Sequence, residues 1–256
     1  GELGVALISS YYHPERMIRS SLKDSYAFVI SDLEQALELV TLDERNNSPY
    51  ITKSAVKALL ARIYLYMQDW EKARDYATEV IDADFLQLSS SSVKYNSDMS
   101  YYQYMWKYDN ASEIIWKVGF TTTSYGGALG RVFLNYDHIS YKPDYVPANW
   151  ALNLYEAKDL RATTFFAQKT TGYAHGLTWP LLMKYNGNED FIKQNILHVS
   201  MPKVFRLSEQ YLIRAEAYCR LGEYGKAGKD ITTLRLARYS SYGSTSIGED
   251  NWLDVI

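Results

Sequence analysis

Residues 211–234 read YLIRAEAYCRLGEYGKAGKDITTL, and this stretch decides the fold. Apolar and small residues recur at helical spacing from Tyr211 to Leu221, and the same pattern resumes from Tyr224. Gly222 stands between the two segments, where its freedom to adopt a left-handed backbone conformation permits a tight turn. The stretch therefore predicts a helical hairpin.

An earlier part of the chain repeats this pattern. A helix is expected to begin at Thr52, turn near Gln68 and continue through Ala73 to Ile81. Small residues where two helices approach closely, with an aromatic residue at the turn, are typical of tetratricopeptide repeats. Every equivalent pair is separated by the same 154 positions: Ala61 with Ala215, Tyr64 with Tyr218, Gln68 with Gly222, Trp70 with Tyr224, and Ala73 with Ala227.

A further amphipathic helix is expected over residues 21–40, with Ser21 and Asp24 at its cap. The sequence thus predicts a mainly α protein, a single domain over residues 1–256. Its helical hairpins lie at about 21–83 and 207–238, and an irregular, loop-rich region with a few short strands lies at about 84–206. In that region Glu113–Val118 and Leu181–Tyr185 are strand-like, and a short helix is expected near residues 149–155.

The bulk composition excludes several classes of function. A net charge of −3, without a cluster of Lys and Arg, argues against nucleic-acid binding. The longest apolar runs are shorter than the roughly 20 residues that a membrane-spanning helix needs. The single cysteine, Cys219, is expected to be a buried structural residue.

Tyrosine is unusually frequent, with 24 Tyr and 6 Trp against 8 Phe. Most of these rings fall in the loop-rich region. Each offers a face for stacking and a polar edge for hydrogen bonding, a combination that suits sugars and peptides. One dense run, SYYQYMWKY at residues 100–108, is expected to pack against the first hairpin.

Four segments follow one another in an order that resembles SusD/RagB proteins. They are SAVKALLARIYLYMQDWEKARDYATEVI (Ser54–Ile81), EIIWKV (Glu113–Val118), DLR (Asp159–Arg161) and PKVFRLSEQYLIRAEAYCRLGEYGKA (Pro202–Ala227). The last segment is the most specific, since these residues resemble the arginine, the glutamate and the LIRAEA helix of that family: Arg206, Glu209, Tyr211, Leu212, Ala215, Glu216 and Ala217.

The resemblance implies a lipid-anchored protein on the outer surface of a Bacteroidetes-type bacterium. Such a protein captures glycan, catalyses no reaction and works with a SusC-like TonB-dependent transporter in the outer membrane. The sequence departs from the family in three ways: the lipidation signal with its anchoring cysteine, the first helical hairpin, and an Arg- and Glu-rich segment expected beyond Trp252–Ile256 are not found. We therefore expect a fragment, soluble as given, whose membrane attachment belongs to the parent protein.

Sugar binding needs aromatic faces flanked by hydrogen-bonding groups. Tyr173 and Trp179, in the loop GYAHGLTW before the final hairpin, are one candidate pair, with Asn186 and Asn188 nearby in sequence. A competing interpretation is that Trp179 anchors this loop to the core. The second candidate pair, on either side of Pro143, is Tyr141 and Tyr145. The four aromatic residues of the repeat are assigned to the hairpin interiors instead: Tyr64, Trp70, Tyr218 and Tyr224.

Catalysis and metal binding are not predicted. Glycoside hydrolysis needs two carboxylates about 5–10 Å apart. The candidates, Glu209, Glu216 and Asp159, each stand near an arginine (Arg206, Arg214 and Arg161 respectively), which favours structural ion pairs. The histidines show no metal-ligand spacing: His13, His138, His175 and His198. No cofactor is expected, although loop carboxylates such as Glu189 and Asp190 leave a structural calcium ion open.

Three functions compete on the sequence alone. Glycan capture for import leads. Peptide capture, as in a RagB-like member, is the second, because tyrosine-rich grooves also accept peptides. The third is a generic tetratricopeptide scaffold that binds a partner protein.

Overall fold

The computed structural model describes residues 2–10, 17–173 and 176–256, so His13, His175 and Ala174 of the GYAHGLTW loop lie outside the described residues. The predicted fold class is confirmed: the protein is mainly α-helical, with short strands in an irregular central region. The helices are α1 (Leu22–Leu39), α2 (Lys53–Tyr66), α3 (Trp70–Ile81), α4 (Tyr101–Tyr108), α5 (Arg131–Leu134), α6 (Asn149–Leu152), α7 (Arg161–Phe165), α8 (Glu189–Ile192), α9 (Leu207–Arg220), α10 (Tyr224–Leu236) and α11 (Trp252–Val255). The strands are β1 (Ile114–Lys117), β2 (Phe166–Thr170), β3 (Thr178–Leu182) and β4 (Lys203–Arg206).

The two hairpins of the repeat share one geometry. Helices α2 and α9 have bounds that differ by the same 154 positions, and so do the first residues of α3 and α10. Both turns use a left-handed residue, Gln68 with φ 63° and Gly222 with φ 76°. The residue after each left-handed residue donates its backbone N–H to the carbonyl of the repeat tyrosine. Asp69 donates to Tyr64, and Glu223 donates to Tyr218.

These helices pack as one layer because α3 lies against both α2 and α9, and α9 in turn lies against α10. Alanines at the crossings are fully buried: Ala61, Ala73, Ala77, Ala215, Ala217 and Ala227. Without longer side chains there, the helix axes can approach closely. Tyr64 is buried, while Trp70, Tyr218 and Tyr224 are half-buried against the same cores.

Helix α1 covers the first hairpin through Ile30, Leu33 and Leu37. Its N-cap is Ser21, whose hydroxyl oxygen accepts from the Asp24 backbone N–H. Cys219 lies buried beside Ala215 and Ala227, and this burial raises the pKa of its thiol to about 11. Within the described residues, no helix combines the length and the apolar character that crossing a bilayer requires.

Two short antiparallel sheets organise the central region. Strand β1 pairs with β4, and β2 pairs with β3 as a hairpin that runs from Phe166 opposite Leu182 to Thr170 opposite Thr178. The strand expected at Leu181–Tyr185 therefore begins earlier, and its last residues, Met183–Tyr185, form a 3₁₀ turn.

The run at residues 100–108 departs from the expectation. It forms helix α4, capped by a reciprocal pair of hydrogen bonds between Ser100 and Gln103. Its buried residues do not join the core of the first hairpin; they form a separate core with Ile114 and Phe165: Tyr102, Met105 and Trp106. Their spacing of three and four residues is that of one helix face, which the surrounding tyrosines obscure in the sequence.

The carboxylates considered for catalysis form ion pairs, but mostly with other arginines than expected. Arg161 pairs with Asp159 as predicted, with 2.6 Å between Nη2 and Oδ2. The other two expected pairs are wrong. Arg206 belongs to strand β4 and not to the helix that carries Glu209, and Arg214 pairs with Asp230 of α10. The observed pairs are Arg62 with Glu209, Arg206 with Glu113, Arg214 with Asp230, and Arg220 with Glu216.

Candidate functional site

The loop at residues 136–145 lies beside the β2–β3 hairpin, and this contact brings Tyr141, from the second predicted pair, to the segment that carries Tyr173. Tyr141 forms a parallel bridge with Thr171, and its carbonyl accepts from the Gly172 N–H at 2.8 Å. The Tyr173 hydroxyl donates to the Pro143 carbonyl at 2.6 Å. Segments about 30 residues apart in sequence are thus neighbours, and we call the four aromatic residues that they carry the aromatic platform: Tyr136, Tyr141, Tyr173 and Trp179.

The rings of the aromatic platform are ordered in two pairs. Tyr136 and Tyr141 stack with centroids 4.5 Å apart, and Tyr173 and Trp179 lie 6.2 Å apart at an interplanar angle of 46°. Tyr173 is 40% exposed, whereas Tyr141 and Trp179 are half-buried. Burial raises the pKa of Tyr141, and the neighbouring Tyr136 adds a smaller effect in the same direction. Rings that are partly anchored and partly open can stack on a ligand at little cost in side-chain entropy.

Gly172 makes the close approach of loop and hairpin possible. A Cβ at this position would lie 2.7 Å from Ser140 Oγ and 3.1 Å from Lys142 Cε. A side chain at residue 172 would therefore require the Ser140 and Lys142 side chains to shift. The packing of the loop against the hairpin thus depends in part on a glycine that carries no ligand-binding group itself.

Asp137 shapes the loop that presents Tyr141. Its Oδ1 accepts from the backbone N–H groups of Ser140 at 2.8 Å and Ile139 at 3.0 Å, and Lys142 Nζ lies 3.1 Å from Oδ2. These hydrogen bonds lower the pKa of Asp137 to about 2, so the carboxylate stays ionised at ordinary pH. At the start of the loop, the Tyr136 backbone N–H lies 2.9 Å from Nε2 of the buried His198.

The remaining predicted residues lie apart from the ring pairs. Tyr145 is 67% exposed, and its backbone N–H donates to the Val132 carbonyl. Asn186 is half-buried and borders a cavity beside Trp106 and Lys107. The 3₁₀ turn at Met183–Tyr185 separates this asparagine from strand β3.

Asn188 needs a correction, because its side chain is not open to a ligand. The residue is 3% exposed. Its Nδ2 donates to Asp109 Oδ2 at 2.9 Å, and its Oδ1 accepts from the Asp190 N–H, which caps α8. Asn188 is a structural residue that fixes the start of a short helix.

Sequence reasoning missed a second aromatic surface, the tyrosine stack formed by Tyr95, Tyr104 and Tyr108. Tyr104 lies between the other two rings, with centroids at 4.1 Å and 4.8 Å. The stack borders a cavity of about 370 Å³ that includes Tyr101 and Asn110. The spacing in the sequence could have indicated part of this stack, since Tyr104 and Tyr108 are four residues apart and lie on one face of a helix.

In the described part of the chain, no three His, Cys, Asp or Glu side chains are arranged to hold a metal ion. The two carboxylates considered for calcium form ion pairs with lysines. Glu189 pairs with Lys107 at 3.4 Å, and Asp190 pairs with Lys193 at 2.9 Å.

The comparisons with known proteins rest on structure. No protein-family model matches the sequence, and no curated protein matches it. The chain is similar to the crystal structure of a SusD superfamily protein from Bacteroides thetaiotaomicron, with 24% identity and a TM-score of 0.77 over 99% of this chain and 56% of that one. It is also similar to a SusD-like carbohydrate binding protein from Bacteroides vulgatus, with 21% identity and a TM-score of 0.74 over 99% of this chain and 52% of that one.

A third similar structure is the surface glycan-binding protein A from Bacteroides uniformis, with 17% identity and a TM-score of 0.71 over 98% of this chain and 57% of that one. The chain spans a little over half the length of these solved structures. At identities this low, the structural similarity establishes the fold alone, and it extends over nearly the whole chain. The protein therefore has the SusD-like fold.

Proposed function

We propose that the chain is part of a non-catalytic protein that captures extracellular glycan, and that the aromatic platform contacts the sugar. The observation that carries the proposal is the convergence of Tyr141, Tyr173 and Trp179 on a SusD-like scaffold. Pyranose rings present apolar C–H faces that pack on aromatic faces, and partly anchored rings need little ordering on binding. Two of the similar structures are described as carbohydrate or glycan binding, which supports the same ligand class.

The absence of catalysis is part of the proposal. The carboxylates best placed by sequence are engaged by arginines, with Glu209 held by Arg62 at 2.6 Å and Asp159 held by Arg161 at 2.6 Å. A general acid needs a raised pKa, which a neighbouring arginine opposes. Incubation of the purified chain with a bound polysaccharide should release no shorter oligosaccharide, as measured by chromatography; released products would contradict this part.

The binding proposal is tested by affinity gel electrophoresis against a panel of neutral and acidic polysaccharides. The double variant Tyr173→Ala, Trp179→Ala should lose retardation, because it removes one ring pair of the aromatic platform. Tyr66→Ala is the matched control, since Tyr66 is 70% exposed on α2. The proposal fails if no polysaccharide retards the chain, or if the double variant migrates like the wild type in every gel.

The role in import is proposed from the fold alone. We infer that the parent protein is a surface lipoprotein of the outer membrane and delivers glycan to a SusC-like TonB-dependent transporter. Affinity purification of the tagged parent protein from membranes should recover such a transporter in stoichiometric amount. Recovery of oligopeptides with the purified chain in native mass spectrometry would favour the RagB-like peptide-binding alternative instead.

A further inference from the structure

A cavity of about 340 Å³ lies in the central region, and none of the aromatic platform residues lines it. It opens between α4, the start of β4 and the segment that follows β3. Its lining includes Trp106, Lys184, Tyr185, Ser200, Lys203 and Arg206. The volume falls in the range of small-ligand sites, about 300–1,000 Å³. We call it the cationic cavity.

Lys184 is the unpaired charge of the cationic cavity. Its Nζ lies 4.5 Å from the ring centroid of Trp106, 5.0 Å from that of Phe165 and 5.3 Å from that of Tyr185. Among the described residues, no carboxylate forms an ion pair with it. Burial, together with the charges of Arg206 and Lys203, lowers the pKa of Lys184 to about 8.

The carboxylates behind the cavity cannot supply the missing partner. Glu113, which is fully buried, is shared by Arg206 at 3.0 Å and Arg238 at 2.7 Å. Asp109, also fully buried, is bound by Lys203. The charge of Lys184 therefore remains uncompensated, and an anion in the cavity would relieve the repulsion among the cations.

Two buried hydrogen-bond donors belong to residues that line the cavity. The Ser200 hydroxyl and the Trp106 indole N–H are buried and have no hydrogen-bond partner within the described residues. Both residues are only 8% exposed. Buried donors of this kind usually bind a partner, and leaving them without one costs free energy.

We propose that the cationic cavity binds the carboxylate of an acidic sugar, with Lys184 and Arg206 as its charged contacts. A uronate offers one negative group for the cations and an apolar ring face for the aromatic lining. The inference rests on the proposed function, since it adds an acidic substrate class to a glycan-binding protein. It makes the cavity a subsite distinct from the aromatic platform.

The test is a titration of the 256-residue chain at pH 7 and constant ionic strength, followed by the NMR signal of the Trp106 indole N–H. The probes are D-glucuronate and D-galacturonate, the neutral sugars D-glucose and D-galactose, and inorganic sulfate. We expect the signal to shift with a uronate and to stay unchanged with either neutral sugar. Lys184→Gln should weaken uronate binding at least tenfold. Lys57→Gln, which removes the same charge from a lysine paired with Glu79 on the first hairpin, should bind like the wild type.

Three results would overturn the inference: uronates that shift the signal no more than neutral sugars, a Lys184→Gln variant that binds as tightly as the wild type, or sulfate binding at least as tight as uronate binding. The last would mean a site for free inorganic anions. The variants also separate this inference from the proposed function. Loss of acidic polysaccharide binding alone in Lys184→Gln supports the cavity, whereas a chain that binds uronate but no polysaccharide refutes only the glycan-capture proposal.

Discussion

Gln68 and Gly222 occupy equivalent turns of the two hairpins, and both adopt the left-handed backbone conformation. Glycine reaches this conformation freely, whereas a residue with a Cβ is strained by roughly 1 kcal/mol or more. One copy of the repeat therefore has the suitable turn residue, and the other tolerates the strain. The helices on either side of the two turns are equivalent, so the effect of the turn residue can be compared between the two hairpins.

The two turns should respond to substitution in opposite directions. Gln68→Gly should stabilise the protein by up to about 1 kcal/mol, and Gly222→Ala should destabilise it by about 1 kcal/mol. A Cβ at residue 222 would meet no atom within 4 Å, so its cost is conformational and not steric. Urea denaturation measures both values. Equal loss of stability in both variants would contradict the conclusion that each turn needs a residue in the left-handed conformation.

Glu113 should be a centre of stability. Burial acts to raise the pKa of this carboxyl, but the charges of Arg238 and Arg206 outweigh it, and the pKa is lowered. Removing the charge leaves two arginines without their carboxylate, so Glu113→Gln should cost about 3–5 kcal/mol at pH 7. The control is Glu79→Gln, because this side chain is 52% exposed and forms a surface ion pair with Lys57. It should cost less than about 1 kcal/mol in the same urea titration.

The pH dependence of Glu113 follows from the direction of its pKa shift. A carboxyl whose folded pKa is depressed stabilises the protein above its unfolded pKa, and this contribution is lost as the pH falls toward the folded value. The difference in unfolding free energy between wild type and Glu113→Gln should therefore shrink as the pH falls below about 4.5, the usual pKa of the group. A difference that grows on acidification would contradict the ion-pair interpretation.

Lys184 should show the reverse dependence. Its pKa is lowered from 10.5 to about 8, so its charge opposes folding below pH 8, and this penalty is relieved as the pH rises toward 10.5. The stability of the wild type relative to Lys184→Gln should rise over that interval, by at most about 3 kcal/mol. Thermal unfolding at several pH values measures the change. The stability of the wild type relative to Lys57→Gln should show no comparable rise. If the difference between wild type and Lys184→Gln also stays constant over this pH interval, the burial of an unpaired charge is refuted.

Gly172 should be required for the aromatic platform. In Gly172→Ala the new Cβ would lie 2.7 Å from Ser140 Oγ and 3.1 Å from Lys142 Cε, so these side chains must shift and the contact between the loop at residues 136–145 and the β2–β3 hairpin is disturbed. We expect a cost of about 1–3 kcal/mol and weaker polysaccharide binding. Gly243→Ala is the control, since a Cβ there would meet no atom within 4 Å. Unchanged retardation of Gly172→Ala in affinity gels would show that the loop position does not matter for binding.

The hairpins could be predicted from sequence because their signals are local. Apolar spacing, the alanines and Gly222 all lie within a few residues of the contacts that they determine. Helix α4 could not be predicted because its other faces also carry aromatic rings, the exposed Tyr101 and the half-buried Tyr104 and Tyr108. These rings hide the buried face formed by Tyr102, Met105 and Trp106. Tyr173 and Trp179 were recognised as a pair because they flank one short loop.

By itself, the sequence determined the helical scaffold, the order of its segments and the abundance of aromatic side chains, since these depend on short-range periodicity and composition. Only the tertiary structure decided which of those side chains meet. Tyr141 forms a bridge with Thr171 of another segment, Glu113 meets an arginine 125 positions away, and Asn188 is buried although it follows the candidate loop. Contacts of this kind depend on how the chain returns to itself, and nothing in the local spacing of residues encodes them.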